Sequence, residues 1–537
     1  MFKAVRSQYV VLLFSLFLVL GYNQSLWQGI LQTRNEFSLH NALFIISVAV
    51  FLTAIINFLL NLVVVKHLLK PVLIILIISA AMASFFMDSY GVLIDSTMVQ
   101  NVFETDAHEA TELLSFTFAQ HLILWGLAPA FVIYKLDISH STFFRQIVIN
   151  IFSMIMSVLM IGLVAAGFYQ DYASTFRNHR EFRYLINPTN YIYAIAKTLT
   201  NQVEQEKKPV LAISQKTTRG VLADKSHRSV TILVLGETAR AQQFHINGYK
   251  RQTTPHIERE NIINFSNVSS CGTATAISVP CMFSKFSREE YDNDKGHNYQ
   301  GLLDEIAASG MAVYWRENNS GCKGVCDRVQ HENVVHVDVP ELCNANDCFD
   351  QAMLEHLDDV INKTDKDMLV VLHQKGSHGP AYYQRIPKSF EHFTPVCQTS
   401  ELQNCSQQEI TNTYDNTILY TDFFLGRVIS FLKNQPETTD TAMIYISDHG
   451  ESLGEKNMYL HGAPYFMAPK EQTHVPMLIW LSEQFAQDYH INTSCLKQHS
   501  DVAISHDNLF HSMLGMLDIS SPENYRHDLD IFANCRS

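Results

Sequence analysis

Apolar residues crowd the first third of the chain in long runs separated by short polar gaps, and later return as brief β-rich bursts between helical stretches of mixed composition. The long runs are roughly Val10 to Tyr22, Leu43 to Val65, Pro71 to Met87, Leu122 to Leu136 and Ile147 to Phe168. Crossing a bilayer takes about 20 residues at 1.5 Å each. The pattern therefore predicts a transmembrane domain of five helices over residues 1–168. The first run reaches span length only if Gln8, Tyr9 and Asn23 sit at the interface. A cleaved signal peptide is its rival reading, against which Tyr22-Asn23-Gln24 lacks the small residues of a cleavage site.

Residues 169–227 read as an amphipathic bridging segment near the membrane surface. They hold Arg177, Arg180, Arg183 and a turn signal at Asn187-Pro188-Thr189. A helix is predicted over Tyr191–Leu199, with Tyr191, Ile192, Ile195 and Ala196 on one side. Residues 228–537 have soluble composition. Strands are predicted at Ser229–Gly236, Met311–Trp315, Asn333–Val337, Met368–Leu372, Ala442–Ile446 and Val475–Trp480, with helices at Gly301–Ala308, Phe349–Ile361 and Thr411–Leu432. Strands alternating with helices predict an α/β domain with a largely parallel sheet covered on both faces.

Charge sets the orientation. Lys3 and Arg6 precede the first run, Lys66 and Lys70 follow the second, and Lys135 and Arg145 follow the fourth, whereas Asp88 to Glu112 is acidic. Basic gaps face the cytoplasm, so the N-terminus is predicted inside and the soluble domain outside. All ten cysteines fall at or beyond Cys271, most of them as near neighbours, which suits disulfides in an oxidising compartment. Cys322, Cys326, Cys343 and Cys348 could instead be drawn as a zinc cluster, although no pair at finger spacing completes it. The net charge of -14 argues against nucleic acid as a partner and leaves a lipid surface open.

Candidate chemistry collects at strand and loop ends: Glu237 after the first soluble strand, His378 in Gly376-Ser377-His378-Gly379-Pro380, Asp448 and His449 after the Ala442 strand, and His461 in Tyr459-Leu460-His461-Gly462. In an open α/β sheet ligands bind at the carboxyl ends of strands. Carboxylate and imidazole without thiolate is a donor set for zinc or manganese in a hydrolase or transferase. Asp-His-Gly alone is equally an Asx turn, and any one of 24 histidines is an ordinary side chain. Thr273 and Thr275 lie among small residues between Cys271 and Cys281. A threonine there either caps a helix or, beside a metal, serves as a nucleophile on phosphorus.

Taken together, Gly236-Glu237-Thr238-Ala239-Arg240, the Cys271 to Cys281 block, the His378 motif, Ser447-Asp448-His449-Gly450-Glu451-Ser452 and the His461 motif make the whole chain resemble the lipid A phosphoethanolamine transferases, within the alkaline phosphatase and sulfatase superfamily. The resemblance implies Thr275 as nucleophile, zinc held by Glu237, Asp448 and His449 beside Thr275, and a second zinc or the phosphate group at His378 and His461. It places the substrate against Asn319 and Lys323, and the donor head group against Asn101, Thr105 and Glu109, whose i, i+4, i+8 spacing would share one helix face. A surface helix with ordinary polar residues accounts for that trio almost as well. The resemblance further implies bridges joining Cys271 to Cys281, Cys322 to Cys326, Cys343 to Cys348, Cys397 to Cys405 and Cys495 to Cys535. The implied enzyme is a monomer of the bacterial inner membrane with a periplasmic catalytic domain and one tightly bound Zn2+, a second being allowed. It moves phosphoethanolamine from phosphatidylethanolamine to a lipid A phosphate and so confers polymyxin resistance. A relative serving another envelope acceptor or moving phosphoglycerol is the alternative enzyme, and a metal-dependent envelope scaffold or sensor the non-enzymatic one.

Overall fold

The computed structural model describes residues 4–34, 36, 38–105, 107–205, 210–213, 216–223, 227–337, 339–343 and 347–536. The chain forms two compact units, Met1–Val99 with Leu114–Thr198, and Gln100–Leu113 with Leu199–Ser537.

In the first unit, Leu39–Asn61, Leu69–Tyr90, Phe116–Lys135 and Phe143–Gly167 are each long and apolar enough to cross a bilayer. The predicted first span falls in a bent helix pair, which passes as a span only if its two helices are taken together. Ser7–Gly21 turns by 63° into a second helix, Gln24–Thr33. Within hydrocarbon an unsatisfied polar group costs several kcal/mol, and several buried side chains here pair between helices. Asn57 Oδ1 accepts from the hydroxyls of Ser153 and Ser157 at 3.2 and 3.1 Å. Gln8 and Gln146 both donate to Asn150 Oδ1, fastening the first helix to the last. The predicted Tyr191 helix runs from Thr189 to Gln205. Its buried side is Tyr191, Ala194 and Thr198, while Ile192, Ile195 and Ala196 are exposed, so the apolar face lies one position away from the side expected.

The second unit is built on an eight-stranded sheet. In chain order its strands are β1 (Arg228–Gly236), β2 (Ile263–Ser269), β3 (Ala312–Glu317), β4 (Gln330–Asn333), β5 (Met368–His373), β6 (Thr439–Ser447), β7 (His474–Leu481) and β8 (Ile504–Ser505). They lie in the order β8-β2-β7-β6-β1-β5-β3-β4. Neighbours are parallel except β7, which is antiparallel to both β6 and β2. Alternate residues of the central strands enter different cores, with Leu233, Val371 and Ile444 on one face and Val234, Val370 and Met443 on the other. That double burial is why these strands read as unbroken apolar runs.

Two predicted elements differ. Asn333–Val337 is not a strand, because β4 ends at Asn333 and a 3-10 turn occupies Val334–His336. Phe349–Ile361 is not one helix but a 3-10 turn at Asp350–Leu354 and a helix at Leu357–Ile361, separated by His356 in the left-handed region at φ 56°. The long helix begins at Gln407, ahead of the expected Thr411, because Ser406 and Glu409 close a capping box there.

All five implied disulfides are present, which removes the zinc-cluster reading of Cys322 to Cys348. The Cys495–Cys535 bridge closes the longest loop, with a sequence separation of 40. Cross-linking a loop of this length restricts the unfolded chain by about 4 kcal/mol. A C495A/C535A variant is expected to lose stability of that order in urea denaturation, against little change for an exposed substitution outside the bridge.

Candidate active site

Parallel pairing places the first two ligand candidates. Gly236 of β1 is in register with Ser447 of β6, so the next residues along, Glu237 and Asp448, leave the sheet side by side. Thr238 follows at φ 51°, a left-handed conformation rare for a β-branched residue. The turn aims successive amides at the β6 end: Thr238 N–H donates to Asp448 Oδ1 at 3.2 Å and Ala239 N–H to Ser447 Oγ at 2.9 Å. Opposite, Gly376 sits at φ +55°, where a Cβ would stand 2.6 Å from the Glu237 carbonyl oxygen, so only glycine lets the His378 loop pass this close.

His449 Nδ1–H donates to the Gly450 carbonyl at 2.9 Å, which leaves Nε2 as the lone-pair nitrogen. Nε2 lies 3.4 Å from Glu237 Oε1, 3.3 Å from Asp448 Oδ2 and 3.3 Å from Thr275 Oγ1. Thr275 Oγ1 is 3.2 and 3.1 Å from the two Glu237 oxygens. A tetrahedral ion with bonds of about 2.0–2.1 Å has ligand-to-ligand edges of roughly 3.3–3.4 Å. The contacts of His449 with Glu237, Asp448 and Thr275, and of Thr275 with Glu237, are of about that length, and the ligand atoms of Glu237, Asp448 and His449 all lie within 4.8 Å of one another. Both carboxylates and the imidazole are fully buried, and Asp448 Oδ2 accepts no hydrogen bond. Burial pushes the Asp448 carboxyl up and, together with His461, holds His449 well below the usual imidazole range. Two carboxylates brought this close to a neutral imidazole and away from water call for a cation between them, and the donor set fits a divalent metal.

Thr275 is not spent on capping. It is the first residue of the helix Thr275–Met282, whose cap is Ala274 with no side-chain bond. Thr273 is occupied with the Ala463 carbonyl at 2.7 Å. The His461 ring lies 4.5 Å from that of His449 and 5.4 Å from that of His378, so the two further histidines flank the cluster. Glu451 fixes His461 by accepting from its Nδ1 at 2.9 Å, and is itself held by the Tyr382 hydroxyl at 2.7 Å.

Asn319 also reaches the cluster, its amide nitrogen donating to Glu237 Oε2. Lys323 Nζ instead contacts the Ser320 carbonyl at 2.9 Å and the Glu104 carbonyl at 3.1 Å. Asn101 and Thr105 belong to the same compact unit, and Thr105 Oγ1 donates to the Asn101 carbonyl at 2.7 Å. The expected single helix face for Asn101, Thr105 and Glu109 does not hold. One helix ends at Glu104 and another begins at Ala107, so the register is broken between them. Glu109 lies in that second helix, and its side chain is outside the described residues.

Three supports carried no sequence signal beyond their position. His373, the last residue of β5, is held at Nδ1 by Glu317 at 3.0 Å, and its Nε2 lies 3.3 Å from the Asn319 amide nitrogen. Burial raises the Glu317 carboxyl, but His373, Trp315 and the Asn319 amide outweigh it and hold the group below the usual range. His506 accepts at Nδ1 from the Cys271 amide at 3.1 Å and donates from Nε2 to the Ser447 carbonyl at 3.0 Å, tying the threonine loop to the metal strand. The Ser278 hydroxyl adds a second tie by donating to the Asp448 carbonyl.

Residues 229–519 match the Sulfatase family model, and residues 52–203 match the model described as Phosphoethanolamine transferase EptA/EptB. The chain is 40% identical over 529 residues to phosphoethanolamine transferase EptA of Salmonella typhimurium, covering 98% of this chain and 96% of the relative. It is 37% identical over 466 residues to phosphatidylethanolamine transferase Mcr-1 from Escherichia coli, covering 85% of each. The solved structure of the integral membrane lipooligosaccharide phosphoethanolamine transferase A from Neisseria meningitidis matches with a TM-score of 0.96 at 35% identity, over 99% of this chain and 100% of that one.

Burial lowers His506 from 6.5 to about 3. Between those values the unfolded chain binds the extra proton, so this residue's contribution to stability is full above pH 6.5 and is lost as pH falls towards 3. The limiting slope is about 1.4 kcal/mol per pH unit. H506Q is expected to flatten the fall in stability measured by denaturant titration between pH 6 and 4; an unchanged slope would count against a buried neutral imidazole.

Proposed function

The chain belongs to the phosphoethanolamine transferase family, and from that membership we propose a zinc-dependent enzyme that moves phosphoethanolamine from phosphatidylethanolamine to a phosphate of lipid A through a threonine-bound intermediate. The donor is supported by the name of the Escherichia coli relative, and a lipopolysaccharide-type acceptor by that of the Neisseria meningitidis one. A soluble domain on the periplasmic side agrees with the basic residues bordering alternate spans and with five disulfides in the second unit.

The observation that carries the chemistry is Thr275 Oγ1 within 3.3 Å of both Glu237 and His449. Its hydroxyl donates to Glu237, which is aligned to take the proton as the oxygen attacks phosphorus. The new bond from Oγ1 to phosphorus forms as the bond from phosphorus to the diacylglycerol oxygen breaks. His461, whose Nδ1 is held by Glu451, is oriented to give a proton to that leaving oxygen. Glu237, Asp448 and His449 would hold the zinc ion, which would supply Lewis acidity beside Thr275 and offset phosphoryl charge. In the second half-reaction a lipid A phosphate oxygen attacks the same phosphorus, the bond to Thr275 breaks and the hydroxyl recovers its proton. His378 borders the phosphoryl group and Asn319 binds its oxygens, while Lys323 offsets its charge from its seat on the Ser320 and Glu104 carbonyls.

Anchorage in the bilayer that carries donor and acceptor lipids raises their effective concentration and favours transfer over hydrolysis. Adding a primary amine to lipid A cancels surface charge, and cationic peptides such as polymyxins then bind less.

T275A is expected to cut transfer of labelled phosphoethanolamine in a membrane assay by about 1,000-fold or more, with T275S retaining part of the activity. Wild-type turnover by T275A would remove the proposed nucleophile. Mass spectrometry of lipid A from cells with and without the protein reads the acceptor directly: an unmodified lipid A, with the label found on core sugar, glucan or protein, would reassign it.

A further inference from the structure

Arg385 takes no part in the proposed chemistry, yet its side chain is 0% exposed and its guanidinium is fully engaged. Nε donates to the His378 carbonyl at 2.8 Å, one terminal nitrogen to Asp347 at 3.3 Å, and the other to the carboxylate of Glu112. Glu112 lies 273 residues away in sequence and is itself only 6% exposed. It closes the helix Ala107–Glu112, part of the Gln100–Leu113 segment that packs with the second unit. The segment is gripped at a second point, where Lys323 Nζ meets the Glu104 carbonyl at 3.1 Å. Lys323 holds a left-handed φ of 51° there, a conformation that persists when the surroundings fix it. Two cations from two loops bordering the site therefore hold the segment at either end of the stretch between Glu104 and Glu112. A planar guanidinium with five donors suits the three-way link, which a lysine could meet only in part.

We propose that Arg385 is a positioning residue for the donor lipid. Through Glu112 it fixes the segment bearing Asn101 and Thr105 against the loop of His378, so that the head-group end and the phosphoryl end of the donor are bound at a set separation. The inference rests on the proposed function, together with the family resemblance that sets Asn101 and Thr105 against the donor head group. Breaking the link releases the Glu112 end of the segment while leaving the Thr275 cluster intact, because neither Glu112 nor Arg385 touches Glu237, Asp448 or His449.

The test uses the full-length protein in phosphatidylethanolamine vesicles, with bis(p-nitrophenyl) phosphate as a diester lacking the ethanolamine head. E112Q is expected to raise KM for the lipid donor by about tenfold or more, the usual effect of truncating one partner of a buried charge pair, with turnover of the small diester unchanged. R385K, which keeps the charge and loses the fork, should fall between E112Q and wild type. R385Q also releases the His378 carbonyl and should impair both substrates. An unchanged lipid-donor KM in E112Q overturns the proposal, as does an equal loss on both substrates, which would mark the pair as merely structural. If wild type cleaves the small diester and moves nothing from the vesicles, the transferase reading itself fails, and the positioning role with it.

Discussion

Two parallel strands stop at the same level, and a carboxylate leaves each of them into the same dry space. The in-register pair Gly236 and Ser447 makes Glu237 and Asp448 neighbours by covalent necessity, and burial denies them the water that would screen their repulsion. Everything around the site answers that constraint. The strained turn at Thr238 brings amides to Asp448, Asn319 donates to Glu237, and the His449 imidazole is kept neutral with its lone pair facing inwards. What the protein alone leaves unbalanced is the negative charge, which a dication held there would balance. A site assembled in this way is largely preorganised, since its acceptors occupy metal-spaced corners through the fold itself.

Thr275, the proposed nucleophile, is placed by a separate set of links. Thr275 opens a short helix whose position relative to β6 is set by Ser278 on the Asp448 carbonyl and by His506 between Cys271 and Ser447. These contacts join backbone to backbone through buried side chains, so the nucleophile's distance from the metal corners does not depend on exposed loops. The histidines that face the phosphoryl group are supported differently, through Glu451 and Tyr382 for His461 and through Arg385 for His378. Separate tethering makes the position of Thr275 independent of the contacts that hold His461 and His378.

Much of this is legible in the residues. The buried strands at Ser229, Met368 and Ala442 stand out because apolar runs ending in Gly-Glu, Leu-His and Ser-Asp-His leave little choice of element or of end. The half-exposed strand Ile263–Ser269 does not stand out, since Asn264, Ser266 and Asn267 interrupt its pattern. Phe349–Ile361 resembles one helix because its composition is helical throughout, and nothing local marks His356 as the residue that turns left-handed. The break near Thr105 is hidden in the same way. Among the site residues, those in contiguous motifs are visible and those acting from isolated positions are not. His373 gains its role from the strand next door and His506 from a helix more than 200 residues after the threonine it positions, contacts that no local spacing encodes.

The bridges carry a consequence for how the protein matures. Each clips a loop of the second unit, and one of them joins the residues on either side of the reactive threonine loop, Cys271 and Cys281. With the second unit on the proposed periplasmic side, a newly made chain must meet thiol-oxidising catalysts before that loop is fastened, whatever the supply of metal. Cells deficient in such catalysts would accumulate a membrane-inserted but unlatched form, making envelope redox capacity a control on how much working enzyme a given amount of message yields.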